Sequence, residues 1–185
     1  MRARVLVPIA IAALTAVGCG NRNLVLSVDV LSYLGPAQRQ VSVPFVPAGT
    51  LSAPVAVVPD TTIDLIDGLG DVAEARTVTL SFDALATAAR GSGSGLLRLY
   101  FCGEGVDPAT TRPVVEQRLR FEAGISHGVS AEVTCDPSVA ELFTKPRLRM
   151  AVTLDSASVA APGATGVSVT LQRLEVVMVA GRKPL

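Results

Sequence analysis

Few residues in this 185-residue chain have side chains suited to chemistry. Cys102 and Cys135 each close a strand-like pattern. A disulfide between them would shut a loop of about 33 residues, with a chain-entropy benefit of roughly 3–4 kcal/mol. Asp60, Asp64, Asp67 and Asp71 crowd a segment that also holds Gly68 and Gly70. Oxygen ligands on a glycine-rich loop are what calcium takes, so these four are weak calcium candidates. Counted from Asp67, the sixth and twelfth positions are Val72 and Val78, which is not an EF-hand. Asp and Gly also favour turns for reasons unrelated to metals.

His127 is the only histidine. A serine or cysteine nucleophile needs a base within hydrogen-bond reach, and no Gly-x-Ser-x-Gly element accompanies it. The expectation is a solvated turn histidine and no catalytic residues. One histidine beside bonded cysteines also leaves little for zinc. Gly91-Ser92-Gly93-Ser94-Gly95 lacks the Gly-Lys-Ser/Thr ending of a phosphate loop and precedes a strand pattern, so it reads as a flexible connector. Tyr33 and Tyr100 are the only tyrosines and tryptophan is absent, which leaves little for a sugar-stacking platform. No cofactor is expected.

The elements that must carry these residues are mostly strands. Leu24, Leu26, Val28 and Val30 alternate with their neighbours through Leu31. The same period of two recurs around Val41–Phe45, Val78–Phe82, Leu97–Phe101, Val115–Phe121, Val129–Val133 and Leu148–Leu154. The last strand, Val167–Val179, changes parity: Val167, Val169 and Leu171 give way to Leu174, Val176 and Met178. The switch at Gln172-Arg173 predicts a bulge or a passage between sheets. Pro44 lacks a ladder donor, so its strand belongs at an edge. Asp83 is read as capping a short helix over Ala84–Arg90. Asp136 is read as capping another that opens with Pro137 and runs to about Lys145. Roughly nine strands with one or two crossover helices predict an all-β fold, a β-sandwich of immunoglobulin-like or jelly-roll-like type; a barrel is the alternative.

The front of the chain says where such a domain would work. Arg2 and Arg4 precede an uncharged apolar run, Val5 to Val17, which ends in Ala16-Val17-Gly18-Cys19. A basic start, a short apolar core and small residues mark an export signal. The run is too short for a stable bilayer anchor, which needs about 20 residues. Ala16-Val17-Gly18-Cys19 resembles the lipobox of bacterial lipoproteins. The resemblance covers the signal alone. It implies cleavage after residue 18, lipidation of Cys19 and attachment to the lipid bilayer. Plain secretory cleavage after Gly18 is the alternative. With Cys19 acylated, Cys102 and Cys135 remain as an even pair for an oxidising compartment. Gly20 stands where an Asp would retain a Gram-negative lipoprotein at the inner membrane, so the resemblance implies the outer membrane in such a host.

The organisation expected is therefore a signal over 1–18, a tether over 19–23 and one domain over 24–181. Removing 18 residues leaves 185 − 18 = 167, enough for a single core. Removing Arg2 and Arg4 leaves 16 − 2 = 14 basic against 16 acidic residues, a net charge of 14 − 16 = −2. That balance offers nothing to nucleic acid. The function expected is a non-enzymatic envelope or cell-surface module that docks another envelope protein. A module for a small ligand, glycan or calcium is the alternative, and an envelope hydrolase the third reading.

Overall fold

The even-numbered residues of one long strand show how the chain is put together. Leu80, Phe82, Ala84, Ala86 and Ala88 are all buried, while the odd residues between them are half-exposed. In the computed structural model this strand, β4 (Ala73–Ala88), runs between two partners. The structure describes residues 23–45, 49–51, 53–65, 69, 73–163 and 165–182. Cys19 and the rest of the lipobox, with Asp67 and Asp71, lie outside the described residues.

Nine strands form two antiparallel sheets. The first holds β1 (Leu24–Asp29), β2 (Gln40–Phe45), β9 (Thr165–Arg182), β4 and β7 (His127–Thr134). Its order is β1-β9-β4-β7, with β2 paired to the other half of the β9 edge that β1 uses. The second sheet has the order β3-β8-β5-β6, from β3 (Val55–Asp64), β8 (Arg147–Ala160), β5 (Ser92–Cys102) and β6 (Val115–Glu122). With β1 and β2 taken as one interrupted strand, each sheet has four strands, and every successive pair except β5–β6 crosses between sheets, the pattern of a jelly roll. The inward residues of both sheets make one core, with Phe82, Phe121, Leu99, Leu119, Leu154 and Leu174 fully buried.

Several expectations are met with a physical reason. β2 has only β9 as a ladder partner, so Pro44 sits on an edge. Opposite β4, the register steps from Arg173 to Leu171 between Asp83 and Ala84, which leaves Gln172 as the extra residue of a bulge. The parity change is therefore absorbed within one sheet. A helix, α1 (Pro137–Leu142), forms with proline in its first turn, but it stops short of Lys145 and the Asp136 side chain makes no capping hydrogen bond.

Four expectations are corrected. The helix over Ala84–Arg90 does not form: Ala84, Ala86 and Ala88 fill the tight space beneath a central strand flanked by β9 and β7. Residues 92–95 are not a connector but the start of β5. A Cβ at Gly93 would run into the carbonyl oxygen of Ser158, so glycine there lets β8 approach. The Asp60 and Asp64 segment is not a loop but β3, whose two register shifts between Ala56 and Thr61 break the alternation that would have announced it. The first strand also ends sooner, at Asp29, because the Asp29 carboxylate accepts from the Leu31 amide at 3.0 Å and opens a 3₁₀ turn.

Candidate functional site

A cavity of about 590 Å³ lies at one end of the sandwich, at the corner where the edge strands β6 and β7 come together. Each wall comes from a chain segment leaving or entering a strand end. Phe101, Cys102 and Gly103 come from the end of β5. Val106 and Thr111 to Val114 come from the excursion between β5 and β6. Val133, Thr134 and Cys135 come from the end of β7, and Asp136, Ser138, Val139 and Leu142 from the start and body of α1. Phe101 meets Phe143 edge to face, centroids 5.1 Å apart, and closes the core below.

Local chemistry fixes the excursion. The Asp107 carboxylate accepts from the Ala109 amide at 2.9 Å, and Pro108 opens a 3₁₀ turn. The Thr110 and Thr111 hydroxyls donate to the carbonyls of Asp107 and Pro108. The chain rejoins the sheet where the Val114 amide donates to the Leu99 carbonyl at 2.8 Å. The Val106 carbonyl accepts from two sides, the Cys102 thiol at 3.3 Å and Arg149 Nη1 at 2.7 Å. On the facing wall the Cys135 amide donates to the Val78 carbonyl at 2.8 Å.

Both cysteines expected to bridge line this cavity, and both are free thiols. The reason is the strand period. Leu97, Leu99 and Phe101 face the core, so the alternating Cys102 points to the other side of its sheet, toward Val106. Cys135 belongs to the core cluster. Burial raises the Cys102 pKa, with the Asp107 charge adding to it. Burial and, secondarily, Asp136 push the Cys135 thiol up to about 11. Both are held as thiols at neutral pH, which makes them poor nucleophiles.

The acidic candidates do not converge. Asp60 pairs with Arg149, and Asp64 pairs with Arg147 at 3.0 Å. No cluster of three or more metal-ligating side chains occurs among the described residues. Asp60 instead steadies Arg149, which holds the cavity wall through Val106. His127 opens β7 with its Nε2 3.2 Å from Glu122 Oε2. Five residues of β7, 128–132, separate it from Val133 of the cavity lining, about 20 Å along the strand. Tyr33 is exposed on a 3₁₀ turn, while Tyr100 is buried on β5, so the two make no common platform.

Sequence reasoning missed the cavity as a site. Its charged lining residues are Arg112 and Asp136, and among the described residues neither has an ion-pair partner. The nearby charges are already neutralised: Arg147 engages Asp64 and Glu104, and Lys145 engages Glu141. The legible signal was the length of the two connections, 103–114 and 135–146, since long excursions between strands build sites more often than tight turns do.

No protein-family description matches this chain, and no curated protein sequence matches it. Among solved structures it is similar to an infectious bursal disease virus Gx strain protein, at 15% identity and a TM-score of 0.41. That alignment covers 92% of this chain and 42% of the viral one, so the chain spans less than half of that relative. It is also similar to a CBM4 structure (16% identity, TM-score 0.33, 75% of this chain and 96% of that one). A third is TmCBM61 in complex with β-1,4-galactotriose (15% identity, TM-score 0.30, 82% and 87%). At these TM-scores the likenesses carry no functional argument, and the fold assignment rests on the sheet order itself.

Proposed function

We propose that this protein is a lipid-anchored module of the bacterial envelope, held at its membrane through acylated Cys19 and acting by binding rather than by catalysis. The observation that carries the reading is the start of β1. Leu24 is already paired with Ala180 of β9, and Arg76 Nη1 donates to Asn23 Oδ1 at 2.9 Å. Asn23 is only four residues on from Cys19. Fully extended, four residues span at most about 14 Å, less than the width of a small domain. Acyl chains make such an attachment lasting, since each buried CH₂ adds about 0.8 kcal/mol. The domain then works beside the headgroups, within reach of a neighbouring envelope protein. The outer face of the first sheet suits such docking: Ser27, Asp83, Glu132, Thr134 and Glu175 lie on the side of Arg173, with Val25 exposed beside them. Binding fits the chemistry better than catalysis, because the two thiols beside the cavity are protonated and the one histidine is far away.

The test is the membrane fraction of cells expressing Cys19→Ser. The expected result is an unprocessed precursor or release into the soluble fraction, with diacylglycerol found by mass spectrometry only on the parent protein. A mature N-terminus without acyl groups in the parent would sink the reading.

A further inference from the structure

The cavity and the tether share one end of the molecule. The Cys135 amide bonds the Val78 carbonyl, Val78 pairs with Met178, and Met178 pairs with Leu26, two residues after β1 begins. Three strand spacings, about 14 Å, separate β1 from β7 across the sheet. Whatever holds Asn23 close to a bilayer holds the cavity close to it too.

We propose that this cavity is a headgroup site for a zwitterionic membrane lipid, one carrying a phosphate and an ammonium. The proposal rests on the tethered reading above. Four observations carry it. The volume, about 590 Å³, falls in the range of small-molecule sites. The walls combine apolar surface from Phe101, Val114, Val139 and Leu142 with polar groups, as an amphiphile needs. Arg112 and Asp136, of opposite sign, both line the cavity without ion-pair partners among the described residues. A guanidinium is suited to a phosphate, and a carboxylate to an ammonium. The charged residues next to the lining segments in sequence are of mixed sign and paired, Glu104 with Arg147, Arg147 with Asp64 and Glu141 with Lys145. A purely anionic lipid would satisfy Arg112 but meet Asp136 unfavourably; a lipid bearing both charges satisfies both.

The experiment uses the full chain reconstituted in phosphatidylglycerol vesicles doped with a photoactivatable phosphatidylethanolamine. Crosslinks are expected to concentrate on residues 101–114 and 133–142. Arg112→Ala and Asp136→Asn should each lower that yield by about tenfold, and Val139→Trp, which fills the cavity, should lower it as much. Crosslinks elsewhere on the same end serve as the reference. Yields unchanged within about twofold in all three variants, or equal labelling by photoactivatable phosphatidylglycerol, would overturn the proposal. If the protein does not float with the vesicles, the tether reading fails. The cavity is then decided by thermal shift of the full chain with a short-chain phosphatidylethanolamine below its micelle concentration. A shift lost in Arg112→Ala keeps the site, and no shift in the parent protein removes it.

Discussion

At one end of the sandwich the chain passes from β4 to β5 in three residues, around Gly91 at φ 75°. At the other end it takes twelve residues, 103–114, to pass from β5 to β6. The far end also holds the short β6–β7 and β8–β9 connections, and a Cβ at Gly91 there would strike the Ala160 carbonyl. There backbone meets backbone. The opposite end is built from the 103–114 and 135–146 excursions, whose side chains line a cavity. Among these connections the two ends of the jelly roll thus differ in length, short turns at one and twelve-residue excursions at the other.

The largest effects should come from the side that tolerates nothing. Phe82→Ala, in the common core, should cost about 3–5 kcal/mol in urea unfolding. Gly93→Ala, near the far end, should cost at least about 2 kcal/mol, because the added Cβ meets the Ser158 carbonyl. By contrast Gly105→Ala, at the cavity end, adds a Cβ into open space, and its φ of 78° is the only source of strain. A Gly93 variant as stable as the Gly105 variant would erase the contrast.

The ion pairs of Arg98 give the next effect. Arg98 bonds Asp155 at 2.7 Å and Glu116 at 2.8 Å, but the Asp155 side chain is 5% exposed and the Glu116 side chain 49%. Removing one partner of a buried pair leaves a charge stranded, whereas exposed pairs contribute about 0–1 kcal/mol. Arg98→Ala should therefore destabilise by about 2–3 kcal/mol more than Glu116→Ala. Equal denaturation midpoints would contradict this.

The thiols sharpen the comparison chemically. Cys135 has its pKa raised to about 11 in the folded state, against an ordinary value of 9. The folded form binds the proton more tightly, so the associated stability is intact below pH 9 and declines as pH rises from 9 towards 11. Stability measured across that window should fall less in Cys135→Ala than in the parent. In native, non-reduced protein both thiols should alkylate slowly at pH 8 and fully on unfolding; a linked Cys102–Cys135 peptide in that protein would overturn the free-thiol state. The smallest effect belongs to the far end's surface: His127→Ala should change stability by under about 0.5 kcal/mol, and chelators should leave the melting temperature unmoved.

How much of this was legible follows from which residues obey a simple period. Val78–Phe82 of β4, Leu97–Phe101 of β5, Val115–Phe121 of β6 and Leu148–Leu154 of β8 place apolar residues at every second position or on one face and read as strands from the sequence. The bulge at Gln172 was legible because six aliphatic residues flank it in two parities. β3 was not, because two irregularities fall within six residues and Val57 and Val58 are both buried. Ala84 to Arg90 was misread since alanine favours helix locally, and only pairing on both sides of β4 overrules it. The cysteine pairing failed on facing: strand ends were visible, but which side of a sheet a terminal residue takes depends on parity against the core. Of the cavity only the length of the 103–114 and 135–146 connections was visible, because its walls come from segments far apart in sequence that only the sheet order brings together.

The central claim is that the cavity end faces the bilayer, and a paired depth measurement tests it most directly. Single reporters are attached through Val106→Cys at the cavity end and Ser126→Cys at the far end, both positions being exposed in the full-length protein. Quenching by headgroup-labelled lipids in reconstituted vesicles is then compared. The account predicts strong quenching from position 106 and little from position 126, with the difference abolished by a long Gly/Ser insertion after Asn21. Equal quenching at the two positions without that insertion would contradict it.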